Sequence, residues 1–316
     1  MKTTAHKFQS KSVQTWFDRG SMRSINGNEI FVIDQGREKK SAIILIHGFP
    51  TSTFDFDLIW QALGKQHRLV CLDMLGFGFS DKPDKRDYTL HKQADLFDRL
   101  ISDLGIDEYH VLAHDYGDSV AQELLARQID GTGQGKWRSC CFLNGGLFPE
   151  THKALLIQKI MLSPLGKLVN KLTGLKQFGA SFSKVFGDAT KPSDVELGEF
   201  WEIINYKDGR HIFHNLMTYI LDRREHRSRW LDALQNSPVP ISVINGSVDP
   251  VSGKHLVARY QQLNCRLDHL VELPTIGHYP QVEAPNKVSA AYLGFLGQIS
   301  GKPLVGPNDI TTRAST

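Results

Sequence analysis

Asp115, Asp249 and His278 are the residues whose types and placing could do chemistry together. Asp115 lies in Val111-Leu112-Ala113-His114-Asp115-Tyr116-Gly117, a short apolar run that breaks into Asp118-Ser119-Val120-Ala121-Gln122-Glu123-Leu124-Leu125, where the apolar spacing turns helical. A strand that turns sharply into a helix exposes the residue at the turn, provided the residues two before and two after it are small. Ala113 and Gly117 meet that condition. Such an elbow usually exposes a serine; here it would expose a carboxylate nucleophile. Aspartate is also a favoured helix N-cap, so this segment alone reads equally well as a capped helix, and the rest of the chain must decide.

Partners follow in the order that such an elbow demands, nucleophile, then acid, then histidine. Val239-Pro240-Ile241-Ser242-Val243-Ile244-Asn245-Gly246 reads as a strand, and Asp249 sits in the loop after it. Leu270-Val271-Glu272-Leu273 gives a last short strand, followed by Gly277-His278-Tyr279-Pro280-Gln281 and an amphipathic helix from about Pro285 to Phe295. Acid and base are thus expected on loops after strands, where an open parallel sheet gathers its chemistry. With 13 histidines in the chain, it is this position and not the residue type that singles out His278. Ser41–Ile46 is a further apolar strand, running into His47-Gly48-Phe49-Pro50. One oxyanion-hole amide is expected from that loop and the other from the residue after the nucleophile, which nominates the backbone N–H groups of Phe49 and Tyr116. His47 reads as structural.

A carboxylate attacking a carbonyl would give an anhydride, whereas its attack on a saturated carbon bearing a leaving group gives an alkyl ester. Splitting a displacement in two this way is covalent catalysis. His278, oriented by Asp249, would then activate water against the carbonyl carbon of the Asp115 ester. General-base help of this kind is worth about 100- to 10,000-fold, and an oxyanion donor roughly 3 to 4 kcal/mol.

Taken together, His47-Gly48-Phe49-Pro50-Thr51-Ser52, Leu75-Gly76-Phe77-Gly78-Phe79-Ser80-Asp81-Lys82-Pro83, His114-Asp115-Tyr116-Gly117-Asp118, Asn144 through His152 and His278-Tyr279-Pro280-Gln281 resemble the α/β-hydrolases of the aspartate-nucleophile group, which includes epoxide hydrolases and haloalkane dehalogenases. Within that group the chain is similar to the mesoderm-specific transcript-like proteins. The resemblance implies an α/β fold: a mostly parallel central sheet with helices on both faces and an inserted helical cap. The core would occupy 1–147 and 238–300, and the cap 148–237. The implied activity is hydrolysis at a saturated carbon of a small apolar organic substrate by water, without cofactor or metal. Epoxide opening is the leading reading and carbon–halogen cleavage the second. A non-catalytic ligand-binding protein of the same fold is the reading from another class.

The leaving group separates the two enzyme readings. An opening epoxide leaves an alkoxide that needs a proton, which a pair of cap tyrosines supplies in the resembling epoxide hydrolases. Tyr219, in Leu216-Met217-Thr218-Tyr219-Ile220-Leu221, matches the later of the pair; no tyrosine between Tyr116 and Tyr206 matches the earlier. Tyr219 could equally pack the core of an amphipathic helix, and Tyr206 reads as a turn residue. A departing halide needs only N–H donors, commonly a tryptophan directly after the nucleophile plus a second tryptophan or asparagine. Tyr116 and Phe49 depart from that pattern. Trp201 and Trp230, both in the cap, are candidates for the substrate-pocket wall.

Composition sets the outer limits. The chain has 316 residues, with 41% hydrophobic and 22% charged, which suits a globular protein with a large core. A formal charge of +3, scattered along the chain, argues against nucleic acid. The most charged stretch, Asp222 to Arg229, mixes signs and reads as a solvated helix face. Leu75-Gly76-Phe77-Gly78 lacks the third glycine of a dinucleotide loop, and Asp73, Asp81 and Asp84 beside it suit turn and cap roles. Cys71, Cys140, Cys141 and Cys265 have no metal-ligand spacing and are expected as reduced thiols in the cytoplasm. The start of the chain has no apolar signal core, and no stretch is long enough to span a bilayer. The lysine-studded apolar segment Leu155–Leu172 could touch a membrane surface, though a cap helix is the preferred reading. The tail from Gly301 to Thr316 is expected to be poorly ordered.

Overall fold

The computed structural model describes residues 7–84, 87–151, 166 and 173–300. Leu155–Leu172, apart from Gly166, and the tail 301–316 lie outside the described residues, and with them the membrane-surface and disorder expectations.

Eight strands make one sheet: β1 (Ser21–Ile25), β2 (Asn28–Gln35), β3 (Ala42–Ile46), β4 (Arg68–Leu72), β5 (Glu108–His114), β6 (Lys136–Leu143), β7 (Ile241–Gly246) and β8 (His269–Leu273). Their spatial order is β1-β2-β4-β3-β5-β6-β7-β8. β1 with β2 and β2 with β4 are antiparallel, and every other pair is parallel. The antiparallel β1 gave no distinct apolar run in the sequence, because its burial pattern leaves only Ile25 fully inside.

Strands β3 and β7 are buried along their whole length, as expected for parallel strands covered on both faces. Because side chains alternate across a strand, each strand feeds two cores. Ile44, Ile46, Val70, Leu72, Val111, Ala113, Phe142 and Val243 point to one. Ile43, Leu45, Leu69, Cys71, Leu112, Leu143 and Ile244 point to the other.

Helices follow as α1 (Lys11–Phe17), α2 (Asp57–Gly64), α3 (Leu90–Asp103), α4 (Tyr116–Asp130), α5 (Leu175–Phe182), α6 (Asp194–Asn205), α7 (Tyr219–Glu225), α8 (Arg227–Gln235), α9 (Lys254–Gln262) and α10 (Pro285–Ile299). In α3 the buried Leu90, Ala94, Phe97 and Ile101 recur at helical spacing, and Thr89 caps its start by accepting the Lys92 N–H. Helix α10 runs past the expected Phe295 because Leu296 and Ile299 continue its buried face. Helices α2 and α10 cover one face of the sheet, while α3, α4 and α8 cover the other. Helices α5 to α8 belong to the insertion between β6 and β7. None of the helices among the described residues is long and apolar enough to cross a membrane.

Strand β3 lies between β4 and β5, so the chain reverses its winding direction there. In open α/β sheets, the crevice at the carboxyl ends of the strands flanking such a reversal is where ligands bind.

Candidate active site

Asp115 follows the last residue of β5 and immediately precedes α4. Its backbone has φ 48° and ψ −108°, a conformation that costs a non-glycine residue on the order of 1 to 3 kcal/mol and persists only when its surroundings enforce it. They do. The Asp115 N–H donates to the Leu143 carbonyl at 3.1 Å. Two residues on, a Cβ at Gly117 would stand 2.4 Å from the Ile46 carbonyl oxygen, so the elbow can pack on β3 only with glycine there. The carboxylate is buried and faces two ways. Oδ2 accepts the Phe49 N–H at 3.0 Å, and Oδ1 lies 3.6 Å from His278 Nε2. The Tyr116 N–H belongs to the first turn of α4, where a helix supplies no acceptor of its own. The Tyr116 side chain turns away, donating to the Tyr88 carbonyl at 3.3 Å.

His47 holds this loop in place. Its Nε2 accepts the Met74 N–H at 3.0 Å, which leaves Nδ1 to donate to the Gly48 carbonyl at 2.8 Å. Asp73 is likewise structural, accepting from the Thr53 N–H and hydroxyl and from the Phe79 N–H.

On the other side, His278 Nδ1 is 2.7 Å from Asp249 Oδ2. Asp249 is itself fixed by the Val251 N–H on Oδ1 at 2.7 Å, and by Asn144 Nδ2 at 3.0 Å and the Ser252 hydroxyl at 2.8 Å on Oδ2. Asn144, the first residue after β6, also donates to the Gly246 carbonyl and accepts the Gly246 N–H. It is a positioning residue that the sequence did not single out; its only trace there is the Asn144-Gly145-Gly146 run. The insertion reaches the histidine too, since the His278 N–H donates to the Val185 carbonyl at 2.8 Å. His114 Nε2 donates to the His278 carbonyl at 2.8 Å. Burial first, and the neighbouring His278 second, push His114 down to about 4, so it is neutral and structural.

Burial opposes charge on all three candidate residues, and their mutual attraction overrides it. For His278, burial pushes the imidazole down, but the charge of Asp249 and its contacts with both carboxylates hold it well above its ordinary value. For Asp115, burial pushes up, while His278, Arg223 and His114 bring it well below the usual carboxylate range. Asp249 is lowered in the same way, chiefly by His278 against burial. In each case the shift favours the charged form of the group.

Asp115 and His278 open onto a cavity of about 130 Å³. Its wall is mostly apolar: Phe49 and Pro50 from the β3 loop, Phe178, Phe182, Val185 and Phe213 from the insertion, and Val251. Tyr219 and Tyr279 bring phenols to it. The Tyr279 hydroxyl donates to the Phe49 carbonyl at 3.2 Å. Tyr219 starts α7, is buried, and packs its ring on Tyr116 and Phe49.

Three expectations about the insertion need correction. Trp201 is not in the cavity wall; it lines an outer groove beside Glu202 and Tyr206, packs its ring at a tilt on Phe178 and lies under Arg210. Trp230 is buried elsewhere, its indole N–H donating to Glu123 at 2.9 Å where α8 packs on α4. Size and apolarity drew the Trp230 indole inside and left Trp201 half-buried, and periodicity cannot say against which surface either would pack. The charged Asp222–Arg229 stretch is not a uniform solvated face, because Asp222 caps α3 through the Leu90 N–H and Arg223, only 2% exposed, turns in beneath the elbow. No group of acidic, histidine or cysteine side chains among the described residues could hold a metal ion.

A strained carboxylate elbow, an acid–histidine pair on the two following loops and a wound parallel sheet define the class, and the family model described as the alpha/beta hydrolase family matches residues 43–291. The chain belongs to that family. The mesoderm-specific transcript homolog protein of Bos taurus is 38% identical over 299 residues, which cover 91% of this chain and 88% of that protein. Putative hydrolase LipZ of Mycobacterium tuberculosis (strain CDC 1551 / Oshkosh) is 36% identical over 287 residues, covering 91% and 99%. Among solved structures, the haloalkane dehalogenase DbeA-M1 loop variant from Bradyrhizobium elkanii superposes with a TM-score of 0.75 at 20% identity, covering 89% of this chain and 97% of that one. At such identity this last likeness speaks for the fold alone.

Proposed function

We propose that the chain hydrolyses a small, neutral, apolar substrate at a saturated carbon through an Asp115 ester, and that the substrate is an epoxide. The observation that carries this reading is the imidazole of His278 between two carboxylates, 2.7 Å from Asp249 and 3.6 Å from Asp115, beside an apolar cavity that also holds the Tyr219 phenol. In this reading the insertion from 148 to 237 serves as the cap.

Asp115 Oδ1 forms a bond to one epoxide carbon, the carbon–oxygen bond breaks, and the alkoxide takes the phenolic proton of Tyr219. Phenol is a weaker acid than imidazolium by about 3 to 4 pKa units, so the His278 proton restores the phenol and the histidine is left neutral. Loss of the Asp115 charge on ester formation makes that release easier. Neutral His278 then takes a proton from water as the water oxygen attacks the ester carbonyl carbon, and Oδ2 becomes an oxyanion already facing the Phe49 N–H. Collapse breaks the bond from that carbon to Oδ1, His278 protonates the departing alcohol, and the new carboxyl returns its proton to His278. The sum is epoxide plus water to diol, and the resting ionisation is restored.

Carbon–halogen cleavage is the second reading, suggested by the name of the structural neighbour. A halide leaves without taking a proton, so the imidazolium would have to lose its own before the water step. Among the described residues of the cavity wall there is also no tryptophan or asparagine to hold a halide.

Four cysteines, Cys71, Cys140, Cys141 and Cys265, are buried free thiols, which suits the cytoplasm as the proposed compartment.

The test is H278Q offered a panel of epoxides and 1-haloalkanes, with intact-protein and peptide mass spectrometry. Expected is an epoxide-mass adduct on the peptide carrying Asp115, together with diol from the wild type. Halide release instead would move the assignment to the second reading. Ligand-induced melting shifts without any product would make the chain a binding protein.

A further inference from the structure

Arg223 is a buried cation that helps to keep Asp115 ionised but that none of the steps above uses directly. It lies one helical turn after Tyr219 on α7, so both side chains leave the same face. Its Nε donates to the Ser119 hydroxyl at 2.7 Å and its Nη2 to the Asp115 carbonyl at 3.4 Å. The guanidinium carbon sits 4.5 Å from the centre of the Tyr219 ring. Space for it is cut by Gly146, where a Cβ would stand 2.3 Å from Nη1. Among the described residues Nη1 has no hydrogen-bond partner, and no carboxylate ion-pairs with Arg223. Asp118, whose carboxyl burial and then the Asp115 charge push up, does not pair with it either: neither of its oxygens has a hydrogen-bond partner among the described residues. A buried charge left this poorly paired is costly to the fold, and one placed against a phenol at the mouth of a nucleophile calls for a chemical reason.

We propose that Arg223 is a positioning residue for ring opening: packed on the Tyr219 ring, it makes that phenol a competent proton donor and holds the phenolate left behind. The proposal rests on the epoxide reading. When the alkoxide takes the phenolic proton, negative charge spreads into a ring whose face already meets a cation. A cation stabilises the anionic ring more than the neutral one, and in a dry site that difference is little screened. The charge is also fixed before the reaction begins, so nothing must reorganise as the ring opens.

The experiment compares wild type, R223K and R223M in the full chain. Each is assayed on oxiranes whose alkoxides differ in basicity, trifluoromethyl-substituted against alkyl-substituted. R223M is expected to lose about 100-fold in kcat, the lower end of the loss typical when one preorganised charge-stabilising group is removed, with KM changed less than about threefold. The loss should grow with alkoxide basicity, and R223K should recover most of it. Equal losses in R223K and R223M across all oxiranes, or no loss, would reduce Arg223 to packing and overturn the proposal. If R223M melts below assay temperature, S119A is read in its place, because it keeps the charge and removes the Nε anchor. A smaller loss with the same dependence on basicity is expected there, and unchanged kcat overturns the proposal. Wild type that opens no oxirane at all would bring down the epoxide reading and this proposal with it, whereas the flat R223K and R223M result sinks only the role of Arg223.

Discussion

His278 Nδ1 and Asp249 Oδ2 lie 2.7 Å apart, both side chains buried, with Asp249 held by three further hydrogen bonds from Val251, Asn144 and Ser252. The carboxylate therefore fixes which imidazole nitrogen faces Asp115 and water. In D249N, the amide cannot support the same tautomer or charge. Steady-state kcat should fall by about 1,000-fold or more, as when the buried acid of a triad is replaced, and the Asp115 ester should accumulate in quenched-flow mass spectrometry. A fall below tenfold with no adduct would place Asp249 outside the water step.

The pH dependence of stability follows from two opposite shifts. His278 is raised in the folded chain, so its contribution is complete below the unfolded imidazole value of about 6.5 and is lost as pH rises through the raised one. Asp115 is lowered, so its contribution is present above the unfolded value of about 3.9 and is lost as pH falls through the lowered one. Urea midpoints should form a plateau between those two unfolded values and decline on both sides. In H278Q the alkaline decline should shrink; an unchanged alkaline limb would mean that His278 is not the titrating group.

Gly117→Ala tests the elbow. Its Cβ would meet the Ile46 and His47 carbonyl oxygens at 2.4 and 2.6 Å, and those are backbone atoms of the sheet's centre that cannot yield cheaply. Overpacking of this kind costs about 1 to 3 kcal/mol, to be read from the unfolding midpoint. The same shift displaces Asp115, so ester formation should slow more than stability loss explains. Wild-type stability in this variant would mean that the elbow is looser than its contacts indicate.

For Tyr219→Phe, removal of the phenol hydroxyl should lower epoxide turnover by about 100-fold or more, as expected for loss of general-acid help, while adduct formation from activated haloalkanes stays within about twofold. A change in epoxide turnover under about threefold, or about 0.7 kcal/mol, would assign Tyr219 to packing alone.

Much of this was legible in the string because it depends on local rules. Strands β3, β5, β7 and β8 announce themselves as short apolar runs, and an elbow needs small residues at 113 and 117 whatever the rest of the protein is. Acid and histidine follow because a wound parallel sheet puts the loops after its strands at one edge.

The insertion was read less well, and the failures have one cause. Helical periodicity tells which face of a helix is buried but not what it is buried against. Trp201 and Trp230 were expected in the substrate-pocket wall, yet they face an outer groove and the α4 interface. Arg223 looked like one charge in a solvated run until the chain folded α7 over the elbow and the side chain took the space left by Gly146.

By itself the sequence determined the main parallel strands, the sharp turn and the three residue types placed after them, since each answers to spacing along one element. Only the tertiary structure decided the ionisation of His278 between two carboxylates, the anchoring of Asp249 by Asn144 and the burial of Arg223 against Tyr219. Those depend on distances between elements remote in the chain, and electrostatic energy in a dry interior is set by such distances.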